Sequence, residues 1–202
     1  MTADTWQQFE LDSRLRSTRY LLRHGSEHCL SVGDLHAVVT GSGILCVASA
    51  GCAVFAAAVL SGAYKGYEMI GPAGRVLWIS SGAHFGEAKD LRRALCEAAR
   101  LNVDDHGDRL RVLALPLIPS EQCGQLITAA VRDVRPTLIV VDNPPDLCEC
   151  ISDTREFSDC LRLLRRLARE YDCAAVYSLR PNLLTPAHHA VANRFTTEVY
   201  ER

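Results

Sequence analysis

The sequence predicts a single three-layer α/β domain: a doubly wound, mainly parallel sheet with helices on both faces. Three observations predict it. Residues 75–80 (RVLWIS), 137–142 (TLIVVD) and 173–179 (CAAVYSL) are short apolar runs without polar alternation, as expected of strands buried on both faces. The segments between them carry helical spacing, so strand and helix alternate along the chain. The 202 residues, 48% apolar and 23% charged, suit one sizeable core and fall short of two.

Residues 1–12 read as a loose arm. Residues 13–24 (SRLRSTRYLLRH) read as a short basic amphipathic helix with Leu15, Tyr20, Leu21 and Leu22 inward and Gly25 as its stop. Residues 1–29 are thereby set apart from a domain over 30–202. Residues 30–40 lead to the first strand, Gly41-Ser42-Gly43 is a turn, and residues 44–47 are that strand. A run of small residues (48–52) follows as a turn. The helix expected over 53–65 is apolar nearly all round and must be packed on a sheet rather than half exposed.

Past a turn at 71–74, the pattern gives a strand over 75–80, a helix over 86–101, a strand over 109–115 and a helix over 121–134. A strand over 137–142 precedes a long amphipathic helix, 153–171, with Phe157, Leu161, Leu164 and Leu167 on one face. Residues 173–179 form the next strand. Residues 195–200 alternate with period two and close the chain as a short strand near a sheet edge.

Strand, small-residue loop and apolar helix over 43–60 have the layout of a phosphate-binding loop. Such a loop needs G-x-x-x-x-G-K-[ST], in which glycines let backbone N–H groups wrap the phosphates, Lys reaches the β/γ-phosphates and Ser/Thr holds Mg²⁺. On that template Ala48 takes the first Gly, Ser49, Ala50, Gly51 and Cys52 the intervening places, Ala53 the second Gly, Val54 the Lys and Phe55 the Ser/Thr. The frame is present and the chemistry is missing.

Four segments in order then carry a resemblance. Residues 75–82 (RVLWISSG) followed by 91–95 (LRRAL), residues 138–147 (LIVVDNPPDL), residues 163–171 (LLRRLAREY) and residues 174–180 (AAVYSLR) resemble the RecA-like P-loop ATPases. Within them the likeness is to the KaiC-like and plasmid RepA-type hexameric helicase branch, from about Leu30 to the C-terminus. The resemblance implies a RecA-like P-loop fold. It places the family's catalytic Glu at or near Ser81 and its sensor histidines at Leu179 and Arg180. Asp142 alone survives, as the strand-end carboxylate that would orient Mg²⁺. Phosphoryl transfer rests on positioning and charge stabilisation, so losing Lys, metal ligand and base together removes it. Asp142 either caps the loop after it or keeps a residual metal role, and Arg180 is either a phosphate contact or an ion-pair partner of Asp142. His84 falls at the same edge, where open α/β sheets bind ligands.

A formal net charge of −2 gives no global case for nucleic acid. Arg14, Arg16, Arg19, Arg23, Arg165 and Arg166 remain candidate phosphate or partner contacts, against the plainer reading of a solvated face. No apolar run suits a membrane span, and residues 1–10 are polar and acidic, unlike a signal peptide; a cytoplasmic protein is expected. The nine cysteines and seven histidines lack metal-ligand spacing beyond Cys148-x-Cys150, so no metal and no cofactor are expected.

The reading that follows is a non-catalytic RecA-fold subunit working through protein association, in DNA replication, recombination or repair. Its partners would be a RecA-like ATPase or further copies of itself, with DNA as a further candidate and no membrane. The alternatives are a divergent nucleotide-binding ATPase and a DNA-binding accessory protein.

Overall fold

A computed structural model describes residues 18–39, 47–80, 85–102, 109–115, 118–148, 154–179, 185–196 and 198–201. The described chain opens with a hairpin, β1 (Tyr20–His24) and β2 (Glu27–Ser31), and passes into β3 (Leu35–Val39). Helix α1 (Val47–Ser61) leads to a second hairpin, β4 (Ala63–Tyr64) and β5 (Tyr67–Met69). Then come β6 (Val76–Ser80), α2 (Phe85–Ala98), β7 (Leu110–Ala114), α3 (Ser120–Val134) and β8 (Leu138–Asp142). A 3₁₀ turn (Pro144–Leu147), α4 (Thr154–Glu170), β9 (Ala174–Leu179), α5 (Pro186–Phe195) and β10 (Glu198–Glu201) complete it.

Six strands form one parallel sheet in the order β10-β3-β9-β8-β6-β7. Successive side chains divide between its faces, as the pleat requires. Val38, Val76, Trp78, Val140 and Val176 pack with α1 and α2 in one core. Ala37, Leu77, Ile79, Val141 and Tyr177 pack with α3, α4 and α5 in the other. The three-layer α/β expectation holds, and helix α4 buries Phe157, Leu161, Leu164 and Leu167 as its spacing foretold.

Five expectations need correction. The helix expected over 13–24 is strand wherever it is described: Tyr20–His24 pairs antiparallel with β2, through a two-residue turn at Gly25-Ser26. Gly25 has φ +61°, the conformation that the first position of such a hairpin turn demands. Leu21, Leu22, Cys29 and Leu30 of this hairpin lie in the same core as α1 and Trp78.

The first parallel strand is Leu35–Val39, earlier than expected, and residues 44–46 lie outside the described residues. The turn expected over 48–52 is the first part of α1. Ala is the best helix former, whereas Ser, Gly and Cys are not, and here packing decides: the helix is sandwiched, with the parallel sheet on one side and β1, β4 and β5 on the other. A helix covered on two sides is apolar all round for that reason.

The helix also stops sooner than residue 65. Gly62 (φ +91°) ends it, and Lys65-Gly66, both at positive φ, form the tight turn of the β4–β5 hairpin. With β1 and β2 this hairpin makes a four-stranded antiparallel sheet, β2-β1-β5-β4, which the sequence reading did not foresee. Finally, Phe195 ends helix α5 instead of opening a strand, and β10 begins at Glu198. Its place at the sheet edge is as expected.

Candidate functional site at the carboxyl edge

Open α/β sheets bind ligands beyond the carboxyl ends of their strands, where successive helices leave to opposite faces. Here α1 follows β3 on one face, while α4 and α5 follow β8 and β9 on the other. The strand ends that meet at this crevice are Val39, Leu179, Asp142 and Ser80, with Val39 paired to Leu179 and Ser80 to Asp142 in register.

Among them Asp142 carries the charge. Its Oδ1 accepts a hydrogen bond from Ser178 Oγ at 2.7 Å, and Ser178 Oγ accepts in turn from the backbone N–H of Asn143 at 3.0 Å. Asn143 is buried in the left-handed conformation (φ +53°) and turns the chain into the Pro144–Leu147 turn. Asp142 and the buried Ser178 hydroxyl therefore close this loop onto β9. The sequence reading did not single out Ser178; a polar residue next to the end of an otherwise apolar strand was the signal for it.

The proposed loop residues are elsewhere. Ala48 to Phe55 are helical, and of their described side chains Cys52, Val54 and Phe55 are buried at 0, 6 and 0% exposure. Phe55 does not face the strand ends: its ring stands edge-on to Tyr67 of the small sheet, 5.1 Å between centroids. The segment that joins β3 to α1 is instead Thr40-Gly41-Ser42-Gly43-Ile44-Leu45-Cys46, which lies outside the described residues. On the phosphate-loop template this register puts Gly41 at the first Gly, Cys46 at the second, Val47 at Lys and Ala48 at Ser/Thr. The chain's two lysines are Lys65, in the β4–β5 turn, and Lys89, in α2. Neither register offers the required Lys.

Ser81, Arg180 and His84 lie outside the described residues, as do Arg14 and Arg16. The remaining arginines are dispersed. Arg19 pairs with Asp172, and Arg23 donates to Glu68 across the β1–β5 ladder, Nε to Oε2 at 2.9 Å. Arg165 sits 3.5 Å from Asp34 and shares it with Arg169 at 3.8 Å. Arg166 stands beside Arg162 and Arg169 on the outer side of α4. Such exposed pairs add about 0–1 kcal/mol each and mark a surface, not a centre.

Ser31, Asp34 and His36 draw together at the start of β3. Ser31 Oγ donates to Asp34 at 3.2 Å, and His36 Nε2 lies 3.1 Å from the Ser31 carbonyl oxygen. Ser31 and His36 are buried, and Ser31 Oγ also lies 3.4 Å from His36 Nε2, but that nitrogen is nearer the Ser31 carbonyl and the aspartate holds the serine, not the imidazole, so the trio is arranged to fix a turn. Among the described residues no group of three or more His, Cys, Asp or Glu is placed to hold a metal. The seven described cysteines are free thiols, and Cys46 and Cys150 lie outside the described residues. No described helix is long and apolar enough to cross a membrane.

No family model matches the chain, and no curated protein matches its sequence significantly. Solved structures do match its shape. One is a KaiC-like protein, PH0186, from the hyperthermophilic archaeon Pyrococcus horikoshii OT3, at TM-score 0.61 and 14% identity over 91% of this chain and 80% of that one. Another is the flagellar accessory protein FlaH from Methanocaldococcus jannaschii, at TM-score 0.56 and 14% identity over 86% of this chain and 73% of that one. At such identity the likeness is one of fold: this chain has the RecA-like α/β fold of KaiC-type proteins.

Proposed function

We propose that the chain is a non-catalytic RecA-fold subunit that acts by associating with other subunits, either copies of itself or a RecA-like ATPase, in DNA replication, recombination or repair. The observation that carries this is the start of α1. Helix α1 begins at Val47-Ala48, where a working phosphate loop presents Lys and Ser/Thr, and the chain's two lysines lie elsewhere. Without a cation at the β/γ-phosphates the transition-state charge has nothing to stabilise it there. At the same edge the Asp142 carboxylate is tied into the β8–β9 loop by Ser178. Steady-state phosphate release with ATP and Mg²⁺ tests the reading; turnover above a heat-denatured control that vanishes in Asp142→Ala would overturn it.

The outer side of α4 favours a second reading, a DNA-binding accessory protein. Arg162, Arg165, Arg166 and Arg169 recur at helical spacing on one side of that helix. A gel shift whose affinity falls steeply with salt, and less steeply in Arg166→Ala, would support it.

A further inference from the structure

The amino-terminal end of the parallel strands holds a hollow. Between the small sheet and the starts of β6, β7, β8 and β9 lies a cleft of about 980 Å³, well matched to a drug- or nucleotide-sized ligand. Four guanidinium groups line it, from Arg19, Arg75, Arg109 and Arg111, against two carboxylates, Asp133 and Asp172.

Two of these arginines have structural work. Arg19 pairs with Asp172. Arg109 donates to the carbonyl of Leu60 in the last turn of α1, where a cation offsets the negative end of the helix. The side chains of Arg75 and Arg111 make no hydrogen bond or ion pair among the described residues. They face a cleft whose charge, after Arg19 and Asp172 cancel, is three guanidiniums against Asp133.

The backbone holding Arg75 is fixed before any ligand arrives. Its N–H donates to Thr137 Oγ1 at 3.1 Å, and its carbonyl accepts from the N–H groups of Thr137 and Leu138 at 2.8 and 3.1 Å. The preceding Gly74 lies so close to Thr137 that an added Cβ would stand 2.5 Å from Oγ1. Arg111 lies on the edge strand β7 and Arg109 immediately precedes that strand, and both line the cleft.

We propose that this cleft binds a polyanionic phosphate, either a phosphate chain alone or one carried on a nucleoside. Guanidinium forks hold phosphate oxygens in pairs, and the unbalanced positive charge suits a ligand with two or more negative charges. The site is distinct from the carboxyl edge, needs no Mg²⁺ and does not depend on the chain being catalytically silent.

Isothermal titration of the full chain with tripolyphosphate and with ATP, both without Mg²⁺, tests it. Binding of either ligand is expected, unchanged in Arg93→Ala, on α2 outside the cleft, and about tenfold weaker for each of Arg75→Ala and Arg111→Ala. Equal affinity for the two ligands identifies the phosphate chain as the recognised part; tighter binding of ATP adds the nucleoside. Arg111→Gln keeps the edge strand polar and serves if an alanine variant unfolds. No heat with either ligand, or wild-type affinity in both Arg75→Ala and Arg111→Gln, overturns the proposal.

Discussion

Ser178 Oγ lies 2.7 Å from Asp142 Oδ1 and joins the ends of two adjacent parallel strands through a side chain rather than the ladder. The same hydroxyl accepts from the Asn143 N–H, so one oxygen holds a carboxylate and a left-handed turn together. This is the place where a RecA-type fold would be expected to do chemistry. In this chain the Asp142 carboxylate, the Ser178 hydroxyl and the Asn143 backbone hold one another.

Ser178→Ala is therefore expected to destabilise the protein. It removes a hydrogen bond to a charged acceptor and leaves the buried Asn143 N–H without this partner, at a cost of about 1–3 kcal/mol. Urea unfolding would show a lower midpoint with an unchanged slope. A midpoint within error of wild type would mean that the contact adds nothing.

Grafting phosphate-loop residues at Val54 and Phe55 should fail. Both side chains are buried in α1, and Phe55 packs edge-on to Tyr67. Truncating a buried Phe costs about 3–5 kcal/mol, and a buried unpaired Lys costs more. Val54→Lys with Phe55→Thr should lower the melting temperature by about 10 °C or more and yield no ATP turnover. A variant that melts with wild type would show that this stretch of α1 is not packed as described.

These two sites show what the sequence could and could not reveal. Uninterrupted apolar runs betrayed β6, β8 and β9, because a strand buried on both faces has no other way to read. β3 was hidden by His36, a buried polar residue within the strand whose Nε2 meets the Ser31 carbonyl in a way no spacing rule foretells. α1 passed for a turn because Ala, Ser and Gly also build loops. Only the second sheet explains why a helix there should be small and apolar on all sides. Helix α5 did carry a signal: Thr185-Pro186 and His188 form a capping box, with His in the place usually searched for Glu or Gln. Asp142 was legible as an acid ending an apolar strand, but its dependence on Ser178 is a contact across two strands distant in sequence.

Alkaline conditions should loosen the fold through β9. Burial raises the Cys173 thiol from 9.0 to about 12, helped by the nearby Asp172 charge, and burial raises the Tyr177 phenol from 10.0 to about 12. Both groups bind their proton more tightly folded than unfolded. Their stabilising contribution is complete below the unfolded values and is lost as the pH climbs towards about 12. Stability against urea should fall from about pH 9 upwards, and Cys173→Ala should flatten the first part of that decline. Tyr177→Phe should flatten the later part, though it also gives up the 2.5 Å hydrogen bond to Thr196. An alkaline limb identical in wild type and both variants would exclude β9 as its origin.

The last expectation is that the protein associates. In the parallel sheet β7 pairs with β6 alone and β10 with β3 alone, so the described chain leaves an outer strand at each end. An outer strand presents unpaired N–H and C=O groups, which either meet another chain or are guarded against doing so. Charge guards part of β7: Arg111 is exposed on it, and the neighbouring Arg109 is anchored to α1. β10, at the other edge, is a four-residue strand of sequence Glu198-Val199-Tyr200-Glu201. On the proposed non-catalytic reading, its surfaces are the working parts of the molecule. Multi-angle light scattering across a dilution series should report a mass of at least twice that of one chain, falling towards the monomer at low concentration. Val199→Lys, which adds a charge to this edge strand, should move the balance towards monomer. A strictly monomeric particle at every concentration, capturing no RecA-like protein from its own cell extract, would leave the association reading without support.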